Sequence, residues 1–148
     1  FLNNCPQYLV AHYGIQKIGA IVCPSGPLNK EHELAYQVND LKARVIVAAA
    51  PVLPVVRKVQ PESAIEHVFV VHYADLLPAN PVLDLPAELL AERGSVRSVP
   101  EGCEDFLSVM RSGAAPHGRQ HRATVKQSIQ ATRRRDQRAH GSTARPVV

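Results

Sequence analysis

Two histidines four residues apart, His117 and His121, have the spacing of metal ligands on one helix turn. No cysteine or carboxylate stands near enough in sequence to complete a site, so the pair is expected in a solvated segment and not in a metal centre. Cys23 raises thiol chemistry, since histidines occur elsewhere in the same part of the chain. Its place in the apolar run AIVCP (residues 20–24) instead suggests a buried strand cysteine packing as a small hydrophobe. His32 sits between Glu31 and Glu33 and reads as an exposed helix residue, while His67 and His72 flank an apolar run as sheet-end residues do. The chain has no Gly-x-Gly-x-x-Gly, no Gly-Lys-Ser/Thr phosphate loop and no Gly-x-Ser-x-Gly.

The loudest charge signal is the closing stretch RRRDQRAHGSTARPVV. Arg133, Arg134 and Arg135, with Arg119, Arg122, Lys126 and Arg138, could neutralise phosphates and give weak, strongly salt-dependent nucleic-acid binding. That makes a non-enzymatic nucleic-acid-binding module the alternative function. Against it, residues 117–148 contain no aromatic side chain on which a base could stack, and the rest of the chain offers no cooperating basic face. Residues 1–116 carry nine Lys and Arg against twelve Asp and Glu, a net of −3; residues 117–148 carry eight against one, a net of +7. The overall charge of +4 therefore comes wholly from the tail, and nucleic acid is not the expected partner.

At 148 residues the chain suits one ordinary domain. Three cysteines, Cys5, Cys23 and Cys103, are an odd number at wide spacing, which argues for a reducing compartment, and a cytoplasmic location is expected. No run approaches the ~20 apolar residues of a membrane helix, and none resembles a signal segment. Because the chain opens at Phe1 on the approach to a helix, a preceding part is expected to be missing.

The elements that would position any chemistry alternate between helix and strand. Asn4 can cap a first helix with Pro6 in its first turn; Leu9, Val10, Tyr13, Gly14 and Ile18 recur at helical spacing, and Gly19 stops it. AIVCP reads as a strand covered on both faces and ended by Pro24. A second helix is expected from a cap at Asn29, with Glu31 and Glu33 near its positive end and Leu34, Val38 and Leu41 on one face; Tyr36 is expected in the core with Leu34 and Val38. RVIVAA (residues 44–49) is a second buried strand, so the two strands form a βαβ unit with a parallel pair. Val52, Val55, Val56 and Val59 then make a helical stripe ended by Pro61, read as core and not as a partner groove, and HVFVV (residues 67–71) is a third strand. Beyond a proline-punctuated connection, short helices are expected over residues 86–92, ended by Gly94, and 104–111, ended by Gly113. From His117 onward apolar periodicity is lost, and the composition is that of a disordered basic tail. The fold class is α/β: a three-layer, mostly parallel sheet with flanking helices.

The stretch NNCPQYLVAHYGIQKIGAIVCPSGPLNKEHELAYQVNDLKARVIV resembles the AMP-dependent, adenylate-forming acyl-CoA synthetases, and within them looks like the fatty-acyl-CoA ligases. The likeness is carried by Asn4 and Pro6 at the helix start, by KIGAIVCP, by the Pro-Leu-Asn of the following loop and by HELAYQVND; HVFVV and the helix before SGAAP keep the same order more weakly. It covers roughly residues 1–116 and implies a partial N-terminal domain of such an enzyme, with residues 117–148 as a separate tail. The matched residues are scaffold residues. The resemblance implies a reaction in which a fatty acid and ATP give an acyl-adenylate and pyrophosphate, after which the acyl group passes to the thiol of coenzyme A, with Mg²⁺ offsetting phosphate charge. It also implies a Ser/Thr- and Gly-rich phosphate loop ending Pro-Lys-Gly soon after Pro116, and no such stretch occurs in these 148 residues. No catalytic, cofactor-binding or metal-ligating role therefore passes to any position here, and the chain is expected to be inactive alone. The abrupt change to an Arg-, Gln-, His- and Ala-rich string where that loop belongs is expected of a frameshifted or truncated synthetase. With sheet edges uncovered, the isolated chain is expected to aggregate or pack loosely.

Overall fold

A computed structural model describes residues 1–113. The expected tail, with His117, His121 and the arginine run, lies outside the described residues.

The chain folds as α1 (Pro6–Lys17), α2 (Glu31–Asp40), β1 (Val45–Ala49), α3 (Leu53–Val59), β2 (His67–Val71), α4 (Ala87–Gly94), β3 (Glu104–Asp105) and α5 (Phe106–Arg111). The strands form one sheet in the order β1-β2-β3, and both pairings are parallel. Val45 stands opposite His67 and Ala49 opposite Val71, so the β1-α3-β2 segment is the βαβ unit that two apolar runs around a valine stripe imply. Both strands bury their second, fourth and fifth residues. Ile46 and Ala48 of β1, with Val68 and Val70 of β2, face Leu34 and Val38 of α2 and Leu53, Val56 and Val59 of α3. On the opposite face Ala49 and Val71 meet Leu2, Tyr8 of α1 and Phe106 beside β3. Helices thus cover both sides of the sheet, giving the expected three-layer α/β arrangement.

Several local expectations give way. AIVCP is not a strand: residues 20–24 have no ladder partner, Ile21 is 87% exposed and Cys23 is exposed, so neither the buried cysteine nor the strand ending at Pro24 is found. An apolar run supplies side chains for a strand, but it is one only if a neighbouring edge accepts its backbone groups. The first βαβ unit is therefore not formed, and only the second is. Tyr36, expected in the core, is 71% exposed on the outer side of α2. In α1 the apolar positions Leu9, Val10 and Tyr13 are exposed, as is Ile18 at its C-cap, and the buried side chain is Gln7.

Helix ends differ too. The N-cap of α1 is Cys5, not Asn4, and it provides no side-chain cap. Lys30, not Asn29, is the N-cap of α2, where the Glu33 carboxylate accepts from the Lys30 N–H at 2.9 Å. Asn29 is drawn away because its Nδ2 donates to Ser25 Oγ at 3.1 Å in the preceding loop. Gly19, with φ of 78°, follows α1 in the left-handed conformation, as its stop role requires. Residues 104–111 divide: Glu104 and Asp105 pair with β2 as β3, and only Phe106–Arg111 is helical.

Candidate functional site

In open parallel α/β sheets ligands gather outside the carboxyl ends of the strands. At that edge His72 and Tyr73 follow β2, Asp105 ends β3, and a charged cluster surrounds them. Glu92 of α4 turns its carboxylate inward, where it accepts from the Tyr73 N–H (3.2 Å) and the Ala74 N–H (3.0 Å) and lies 3.4 Å from His72 Nδ1. The side chains of His72 and Glu92 are both largely buried. Gln7 of α1 donates from Nε2 to the His72 carbonyl at 2.9 Å, tying the first helix to the same turn.

Beside this group Arg97 forks onto Asp75, with Nη1–Oδ1 at 2.6 Å and Nη2–Oδ2 at 3.0 Å, and Nη2 also donates to Asp105 Oδ1. Asp105 is the N-cap of α5, its Oδ2 accepting from the Ser108 N–H at 2.9 Å and from the Ser108 hydroxyl. Burial pushes the Asp75 carboxyl above the ordinary aspartate range, outweighing the Arg97 and His72 charges that pull it down. Burial acts in the same sense on Asp105, but there the hydrogen bonds from Ser108 and Arg97 outweigh it and hold the carboxyl below that range.

Every carboxylate of the cluster is engaged by a backbone N–H, an Arg or a His, so the group orders a turn and caps a helix. The Ser108 hydroxyl beside it is held by Asp105 in the helix cap. The cluster also does not fit a nucleoside triphosphate: among the described residues no Gly-rich backbone cradle stands at this edge. Gly102 has φ of 73°, and a Cβ there would lie 3.6 Å from the Arg57 guanidinium. Among the described residues, no three His, Cys, Asp or Glu side chains are placed to hold a metal.

A second feature is a largely apolar cleft of about 440 Å³ between residues 20–25, α1, α2 and the outer edge of β1. His12 Nδ1 and Gln37 Oε1 in its walls have no hydrogen-bond partner among the described residues.

The residues singled out from sequence are not gathered into one site. His32 is exposed on α2, and Cys23 is exposed on the cleft rim. His67 opens β2 with Nδ1 3.1 Å from Glu104 Oε1, and its ring stacks on Phe69. Val56 and Val59 are buried, so the valine stripe is core. Sequence reading passed over Gln7, Asp75, Glu92 and Arg97. Asp105 three residues before Ser108 is a cap pattern it could have used.

The family model described as AMP-binding enzyme matches residues 1–118. The chain belongs to the AMP-binding enzyme family. Within the family it is similar to a long-chain-fatty-acid–CoA ligase of Bacillus subtilis, at 35% identity over 52% of this chain and 14% of the relative. A long-chain-fatty-acid–CoA ligase of Escherichia coli O6:H1 is 36% identical over 51% of this chain and 14% of the relative. A crotonobetaine/carnitine–CoA ligase of Salmonella arizonae is 34% identical over 41% of this chain and 12% of the relative. The aligned part of this chain thus spans only about a seventh of these relatives' length. No solved structure matches the chain. Among the described residues, no helix of this family member is long and apolar enough to cross a membrane.

Proposed function

We propose that this chain is a scaffold portion of a fatty-acyl-CoA synthetase, the enzyme class that joins a fatty acid to coenzyme A through an acyl-adenylate at the expense of ATP. The family match over residues 1–118, together with long-chain-fatty-acid–CoA ligases among its relatives, carries this reading. ATP, Mg²⁺ and coenzyme A belong to that reaction, and the residues described here supply no cradle for any of them. Residues 1–116 are the enzyme-like part; residues 117–148 are a tail of different origin, read out of frame where the phosphate loop belongs.

The 148-residue chain is inactive by itself. Adenylation depends on preorganised donors around the transferring phosphate, and no set of these stands among the described residues. ATP–pyrophosphate exchange measured with palmitate and Mg²⁺ will show no turnover above a no-enzyme control. Exchange above that control would overturn the prediction of inactivity.

A further inference from the structure

We propose that residues 77–100 form a strap held over the carboxyl end of β2 by two side chains, Glu92 and Arg97, and that the strap opens as one unit while the sheet stays formed. Not one residue from Leu77 to Pro100 is buried, and α4, which lies within this segment, buries none of its side chains. The segment is inverted relative to an ordinary surface helix, which turns its apolar stripe inward. Val82, Leu83, Leu90 and Val96 are exposed, while the charged Glu92 keeps only 19% of its side chain in water. Packing of an apolar face is what usually fastens a helix to its domain, and α4 has little of it to lose on leaving.

Among the described residues, no backbone–backbone hydrogen bond joins residues 78–99 to the rest of the chain. The polar ties come from two side chains. Glu92 takes the Tyr73 and Ala74 N–H groups and lies against His72, and Arg97 takes the carboxylates of Asp75 and Asp105. The strap is also braced within itself, since Arg93 Nη2 donates to the Ala79 carbonyl at 2.9 Å and Ser95 Oγ to the Glu92 carbonyl at 2.8 Å. Its two ties therefore move together. Pro78 and Pro100 stand at its ends and have no N–H with which to extend a neighbouring element across them. Opening exchanges each polar tie for water, so far less is lost than when a packed apolar face separates. It uncovers the Tyr73 and Ala74 N–H groups, His72, and the carboxylates of Asp75 and Asp105, at the strand ends where open α/β sheets receive ligands. The strap thus gates that edge, and a ligand there competes with Glu92 for the two N–H groups.

The test is amide hydrogen exchange on the full chain. Leu89 and Leu90 of α4 will share one opening constant with Tyr73 and Ala74, and all four will exchange about tenfold or more faster than the interior of β1 and β2. Arg97→Ala removes only the Asp75 and Asp105 contacts, yet it will speed all four amides by about tenfold and leave β1 and β2 unchanged. Raising NaCl from about 0.05 to about 1 M on the unaltered chain will speed the same four several-fold, because both ties are charged and exposed enough to be screened. Unequal opening constants for the two pairs of amides would overturn the proposal, as would exchange of α4 only together with β1 and β2. So would an Arg97→Ala chain in which Tyr73 and Ala74 are freed but α4 is not. If that substitution also loosens β1 and β2, the salt series decides, and α4 exchange that ignores salt overturns the proposal.

Discussion

Asp75 and Asp105 share one guanidinium yet shift in opposite directions, because a carboxylate's pKa is set by the balance of burial against its own hydrogen bonds. Asp105 has its pKa lowered on folding, so its ionised form stabilises the fold above the unfolded value of about 3.9 and that contribution is lost as pH falls through the lowered value. Asp75 has its pKa raised, so its contribution has the reverse sense: present below about 3.9 and lost as pH rises through the raised value. On acidification Asp75 will therefore take its proton first, above pH ~3.9, and Asp105 only below it. Carboxyl carbon shifts followed by NMR will show that order, with the Ser108 amide moving in step with Asp105. Titration in the opposite order would refute the assignment of these opposing effects. Little of this cluster was legible beforehand, since Asp75 and Arg97 are 22 residues apart and only folding brings them together.

Helix α2 shows how far local signals reach. Of its apolar positions read on one face, Leu34 and Val38 are buried, while Leu41 falls at the C-cap and is exposed. Its ends were less legible. The chain leaves α2 through Lys42 at φ 51°, a left-handed residue, and the Ala43 N–H returns to the Val38 carbonyl at 2.9 Å, the long bond of a Schellman turn. Glycine is the usual residue there because a Cβ in this conformation costs roughly 1–2 kcal/mol, part of which the unfolded-state freedom of glycine cancels. Lys42→Gly is expected to raise amide protection over residues 41–43 about three- to fivefold, or ~0.5–1 kcal/mol, read by hydrogen exchange. Unchanged or reduced protection would mean that the Lys42 side chain compensates for its backbone. The caps at Asn4 and Asn29 failed for a related reason: capping is decided by which nearby group each side chain reaches, and Asn29 reaches Ser25.

At the scale of the whole molecule, three strands are flanked by helices, but large apolar side chains remain uncovered. Ile18, Ile21, Leu28 and Val82 are all more than three-quarters exposed. Backbone order costs ~1–2 kcal/mol per residue, and surface left in water does nothing to offset it. Heating the 148-residue chain will give a broad far-UV transition, and the chain will bind an apolar dye before melting. A single sharp cooperative transition without dye binding would count against this loose packing.

The sequence by itself determined the α/β class, the strands β1 and β2, the valine-lined crossover and the family, while β3 was read as helix. What it determined rests on periodicity and on motifs that a local stretch carries whole. Only the tertiary structure decided which apolar runs become strands. AIVCP and RVIVAA are alike in composition, but the second finds β2 on one side and the Phe1 backbone on the other, while the first meets no edge. A helix satisfies its hydrogen bonds within itself and can be read from one segment. A strand needs a neighbour, and that neighbour is a property of the fold.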